Sequence, residues 1–479
     1  MGCGSGPEPE PDSHSAEQET RRQQGRLLAG RGSLYLKQGR SVRALAVSRQ
    51  AQELIPEAPE PYFNMGLAYT QLGRYAEAIE AFELGRNLGS LDAAQLFALG
   101  LSLRAQDRNP EAAIEFGKAI DRAPDRAEYH YSLGLAQRAL SDFSGALAAF
   151  AAAIQLDSTH TDAHFYRSDL LARNQRSAAA EAGYRRTIAL DPERISAYLG
   201  LGRLLSKQRR FAEAIDMLQR AVAVNPRVSQ IHYFLNQAFH QAGNERAAAA
   251  ALAVFEQLYA VEKQLDQGDL YAVRGKWELA ISTWSQAIAA DSACVDAYIR
   301  VGEAHLRQQD LEAALPVLKK GLATTPQNLA LRCLLGEAYL AAADLTAATQ
   351  TFEQVLDQDP TSLRALYGLG RAALTAAHFP AAVTWFRRSL DSEPDDVESH
   401  YHLGLAYVKQ GLYPEAVICF QQSVVLNPAH VRAHYALGRL YAGQAADVQA
   451  RAAFATVLEL DPDHAKARAS LAQLDEGTP

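Results

Sequence analysis

The 479-residue chain is 48% hydrophobic and 21% charged, enough apolar material for a large core, which excludes a chain disordered throughout. Its four cysteines exclude a disulfide scaffold, and no run approaches the roughly 18 consecutive apolar residues that a membrane-spanning helix needs. A net charge of −8 argues against broad nucleic-acid binding, which needs a basic surface. In chain order, residues 1–24 come first, rich in Pro, Gly, Ser and Glu, and are expected to form a flexible tether.

From residue 25 the chain repeats itself. Residues 59–92 and 397–430 match position by position over 34 residues. The same spacing gives units starting at 25, 59, 93, 127, 161, 195, 229, 261, 295, 329, 363, 397 and 431, of which only 229–260 is shorter, at 32 residues. Position 8 is glycine in most units, with Ser168 and Asn236 as departures, and position 20 is alanine in all of them, from Ala44 to Ala450. Glycine costs about 0.5–1 kcal/mol relative to alanine inside a helix. Its recurrence therefore implies that two helices of a unit touch where a larger side chain would separate them. Position 24 is large in most units, as in Phe82, Tyr184, Trp284 and Phe420, and is expected to fill the space beside that small pair. Prolines such as Pro56, Pro192 and Pro428 end the units, and Pro316, further into a predicted helix, is expected to kink it.

This pattern resembles the tetratricopeptide repeat family, over residues 25–464. The resemblance implies an all-α fold: a right-handed superhelical α-solenoid of helix-turn-helix repeats. The expected divisions are an array of six repeats over 25–228, a short atypical repeat over 229–260 at a junction of two lobes, and six more over 261–464. Residues 465–479 would supply a capping helix and tail. Between Asn244 and Gly268 there is neither proline nor glycine, which predicts one long helix or two joined with little break. Charge divides along the same line. Residues 25–228 carry 26 basic and 22 acidic side chains, and residues 229–464 carry 17 and 26. Six of the basic ones, Arg26, Arg31, Lys37, Arg40, Arg43 and Arg49, crowd the first unit, either as a solvated cap or as a patch for an anionic partner.

No catalytic constellation is present: there is no phosphate-binding loop, no His-Glu-x-x-His and no nucleophile elbow. The reading is non-enzymatic, with no cofactor, no metal and no small-molecule substrate. His130, His164, His232, His400 and His434 share position 4, where an amphipathic ring packs between helices. The i, i+4 pairs His160/His164 and His430/His434 have metal-compatible spacing but sit at unit boundaries.

In the family, the first helix of each pair lines a concave groove that binds proteins or peptides. Carried over, this places Phe63, Phe97, Tyr131, Phe165, Tyr233, Tyr401 and Tyr435, all at position 5, in a partner-binding groove, with Arg203 and Arg371 at position 9. Position 9 is apolar early, at Leu67, Leu101 and Leu135, and polar later, which suits one extended ligand or two partners. Asn64 stands at position 6 beside Phe63, where a two-carboxylate clamp would have lysine, so a clamp for chaperone tails is not expected. Finally, Gly2-Cys3 followed by a Pro-Glu-rich stretch resembles the mature start of a bacterial lipoprotein, without the apolar signal segment. That resemblance implies lipidation and membrane anchoring at Cys3 in the periplasm; the alternatives are dual acylation at Gly2 and Cys3, or an unmodified tail on a cytoplasmic protein. The functional expectation is a protein-protein interaction scaffold. The rivals are a lipid-anchored periplasmic assembly factor for a secretion, pilus or polysaccharide-export machine, and the substrate-recruiting subunit of an enzyme complex.

Overall fold

The computed structural model describes residues 13–476, and side chains from 18 to 474. Within them the chain forms twenty-six α-helices and no strand. It divides into two compact units, one through Leu252 and one from Ala253. In each, helices of 12 to 14 residues alternate as first and second members of a repeat, as in Thr161–Arg173 with Ser177–Leu190 and Val397–Lys409 with Tyr413–Leu426.

The small residues do what the repeat pattern asks of them. A Cβ placed on Gly66 would lie 2.7 Å from the Phe82 ring, and one on Gly404 would lie 2.7 Å from Phe420. The position-24 ring thus occupies the space that glycine leaves, and Phe82, Phe116, Phe150, Phe352, Phe386 and Phe420 are wholly buried there. Burying such a ring fully contributes on the order of 2–3 kcal/mol. The two departures at position 8 are compensated locally. The Ser168 hydroxyl takes the space that a Cβ on Gly183 would fill, and the Asn236 amide donates to the Ala248 carbonyl at 2.9 Å.

One feature of the turns is not visible in composition. In every repeat, position 15 adopts the left-handed conformation, with φ between 54° and 78°. Five of these residues are glycine, such as Gly73 and Gly411, and eight are not, among them Gln175, Arg209, Ala343 and Ala377. The residue after it closes the turn by donating to a carbonyl five residues back, as from Arg74 to Tyr69 and from Leu412 to Tyr407. That is a Schellman-type stop, and it satisfies carbonyls the first helix leaves open.

The turn between repeats has its own lock. The position-4 side chain donates to a carbonyl six residues back: His232 to Pro226 at 2.8 Å, His400 to Pro394 at 3.0 Å, and Tyr198 to Pro192 at 3.1 Å. The position-4 histidines thus hold the inter-repeat loop as well as packing. A second set, His160, His430 and His464, caps the following helix through Nδ1.

Three local outcomes differ from, or refine, the reading of the sequence. The first helix begins at Ser13 and absorbs residues 13–24 of the expected tether, since that stretch contains neither proline nor glycine before Gly25. Helix Leu311–Thr324 runs through Pro316. Residues Glu245–Val273 form one helix of 29 residues. The last helix, Ala465–Glu476, covers the end of the C-terminal unit, with Ala467 fully buried beside Phe454 and Val457.

Candidate functional site

The faces of interest are made by the first helices of successive repeats, with the second helices behind them. The position-5 aromatics lie within this stack. Phe63 and Tyr401 are buried, Phe97, Tyr131, Phe165 and Tyr435 are half-buried, and Tyr233 is exposed. Tyr131, Tyr401 and Tyr435 pack their rings 4.6, 5.1 and 4.9 Å from His160, His430 and His464, and Phe165 lies under the guanidinium of Arg194 at 4.7 Å. Each of these partners is the last residue of the same repeat. The rings therefore seat the next repeat and present only part of their surface outward. Asn64 is also committed: its amide donates to the Ala29 carbonyl at 2.8 Å, and its oxygen accepts from Ser33 at 3.0 Å.

Position 9 reaches solvent. In the C-terminal unit its acidic members are neutralised by arginines of a following repeat. Asp269 accepts from Arg300 at 2.8 Å and from the Trp284 indole at 3.2 Å. Glu337 takes a two-pronged contact from Arg364, at 2.5 and 2.9 Å, and Glu303 lies 4.0 Å from the same arginine. Two parallel N–H···O bonds hold such a pair in one geometry. Arg371 lies over the Tyr367 ring at 5.8 Å.

Each unit also contains a pocket between consecutive first helices, and the two are built at matching repeat positions. In the N-terminal unit a space of about 310 Å³ is lined by Asp169, Ala172 and Arg173 on one helix and Gly200, Arg203, Leu204 and Lys207 on the next, with Tyr184 as its floor. In the C-terminal unit a space of about 390 Å³ is lined by Leu405 and Val408 on one helix and Ala436, Arg439, Leu440 and Gly443 on the next, with Phe420 beneath. Both have a small residue at position 6, Gly200 or Ala436, and arginine at the second position 9. A Cβ on Gly200 would lie 2.6 Å from the Tyr184 ring, so this glycine admits the floor residue itself. Burial pushes the Tyr184 phenol well above its ordinary pKa and keeps it a neutral hydroxyl.

The sequence pointed to Arg203 for the groove but not to Arg173 or Lys207, and to Tyr184 only as a packing residue. Tyrosine instead of phenylalanine at position 24 was the available signal. The i, i+4 histidine pairs are spent on the backbone: His164 faces the Ser158 carbonyl, His434 faces Pro428, and His160 and His430 are caps. Among the described residues no group of three or more His, Cys, Asp or Glu side chains is gathered as for a metal, and no helix is long and apolar enough to cross a membrane. Cys294, Cys333 and Cys419 are buried thiols that form no disulfide with one another, and burial pushes the Cys333 and Cys419 thiols up. Cys3 lies outside the described residues.

Comparison with known families finds matches to models described as tetratricopeptide repeat. One such model matches residues 97–161, 137–195, 199–261, 265–328 and 401–465, a second matches 339–406, and a third matches 59–88. Comparison with curated proteins finds no match. Among solved structures, a chain of the APC/C hetero-tetramer Cut9–Hcn1 is 16% identical over 97% of this chain and 99% of its own, with a TM-score of 0.44. MamA is 25% identical over 35% of this chain and 97% of its own, with a TM-score of 0.31. Yeast Tom70 is 11% identical over 80% of this chain and 95% of its own, with a TM-score of 0.38.

Proposed function

The chain belongs to the tetratricopeptide repeat family, and from that premise we propose that it is a non-catalytic scaffold holding protein partners on the first-helix faces of its repeats. The observation that carries this is the recurrence of one pocket, at matching repeat positions, in both units. A pocket between parallel helices can take a single side chain of an extended peptide. Anchors in each unit then add up through multi-point attachment. The pocket of the C-terminal unit suits an apolar side chain, since Leu405, Val408, Ala436 and Leu440 line it and Arg439 stands at its side.

The test is site-specific photo-cross-linking in the native host. Benzoylphenylalanine at Val408, inside the pocket, is expected to capture a partner. The same group at Ile418, exposed on the second helix Tyr413–Leu426, is expected not to. Ala436→Trp, which fills the cavity, should abolish capture at Val408. Cross-links at Ile418 alone, unaffected by Ala436→Trp, would overturn the reading.

A further inference from the structure

We propose that the pocket between helices Thr161–Arg173 and Ile195–Lys207 is a subsite for the carboxylates of an acidic peptide segment. The inference deepens the scaffold reading and rests on it. Three cationic side chains, Arg173, Arg203 and Lys207, converge on this pocket against one carboxylate, Asp169. Asp169 is engaged by the Arg173 Nε at 3.0 Å, so the charge left over comes from Arg203 and Lys207. Both are exposed, and among the described residues neither has a carboxylate partner. The surrounding charges do not change this balance. Asp162 is held by Arg194 at 2.6 Å, and Arg138 lies over the Tyr166 ring at 4.3 Å. Gln237 and Gln241, on the following first helix, are uncharged.

Three details make this more than a solvated basic face. Arg203 stacks at 5.3 Å over Phe234, which orients its planar guanidinium and leaves its edge N–H groups available. Tyr184 at the floor is the tyrosine among the position-24 rings, and its phenol stays protonated as a donor. Gly200 puts no side chain over that floor. A cavity with two guanidinium groups, an ammonium group and a phenolic donor matches a carboxylate, which accepts from several donors at once. It is mismatched to an apolar side chain. Residues 25–228 carry 26 basic and 22 acidic side chains, six of the basic ones in the first repeat, so it is the effect of changing Arg203 and Lys207 that assigns anion binding to this pocket.

The experiment uses the full chain and fluorescence anisotropy of a labelled hexaglutamate peptide, with hexaglutamine as control. Hexaglutamate is expected to bind, more weakly as salt rises, and hexaglutamine is not. Arg203→Gln with Lys207→Gln should weaken hexaglutamate by about tenfold or more, since hydrogen bonds to charged groups are among the strong ones. Arg439→Gln should leave it within about twofold, because Arg439 lines the pocket of the C-terminal unit and not this one. A melting curve equal to that of the unaltered protein shows that the double variant is folded. Equal binding by the double variant, or equal binding of hexaglutamine, overturns the subsite. So does binding of a phosphoserine peptide or of single-stranded DNA when hexaglutamate fails. Cross-links at Val408 that persist while hexaglutamate does not bind would sink this subsite alone. Loss of both would sink the scaffold reading with it.

Discussion

The N-terminal and C-terminal units use the same repeat positions to make a pocket and line it with different chemistry, more cationic in the first and more apolar in the second. At positions 9, 12 and 13 of one helix and 6, 9, 10 and 13 of the next, the N-terminal unit places Asp, Ala, Arg, Gly, Arg, Leu and Lys. The C-terminal unit has Leu and Val at the first two of these, and then Ala, Arg, Leu and Gly. Beneath the pockets the scaffold is the same. Glycine or alanine lets the helices approach, and a buried aromatic ring fills the gap. Architecture is therefore carried by one set of positions and surface chemistry by another. A repeat array can change what it presents without changing how it stacks.

The largest expected effect tests the shared half of that comparison. Phe150→Ala in the N-terminal unit and Phe420→Ala in the C-terminal unit remove wholly buried rings at equivalent positions. Each should cost about 3–5 kcal/mol, and the two losses should agree within the spread that cavity relaxation allows. Urea unfolding measures both. Costs that differ by more than that spread would mean the units are not stacked by the same contacts.

A smaller effect separates the units by charge. Arg364→Gln removes the two-pronged partner of Glu337 and should cost about 1 kcal/mol at low ionic strength and less in high salt, because the pair is partly exposed. Arg203→Gln removes no ion pair among the described residues and should change stability by less than about 0.5 kcal/mol at either salt concentration. Denaturation at two ionic strengths distinguishes them. A salt-sensitive loss at Arg203 would place an unseen carboxylate beside it.

The smallest effect concerns the turns. Ala377 in the C-terminal unit holds φ near 60°, and Gly73 in the N-terminal unit holds φ near 70° at the same repeat position. Ala377→Gly should stabilise by about 0.5–1 kcal/mol, and Gly73→Ala should destabilise by a similar amount. Melting temperatures moving in the same direction for both would show that the turn conformation is not what limits these positions.

Much of this architecture was legible in the residues. Gly66, Gly134 and Gly404 at position 8, alanine at position 20, and the rings of position 24 declared a 34-residue helix pair, because close helix contact tolerates only small side chains. The proline-marked unit ends and the glycine-free stretch before Gly268 likewise indicated where helices stop and where one continues. Other features were invisible. Gln175, Arg209 and Ala343 give no local sign of a left-handed turn. The hydrogen-bonded stop of the preceding helix imposes it. The position-5 aromatics were expected along the groove with partial burial between repeats, but how far each turns into its neighbour depends on the packing. Sequence order also could not say that Arg364 reaches Glu337 while Arg203 reaches no acid among the described residues, since such pairs meet across neighbouring repeats. Periodicity is a property of one helix pair and is written along the chain. Which charges cancel and which are left for a partner depends on how successive pairs are laid side by side, and only the folded stack decides that.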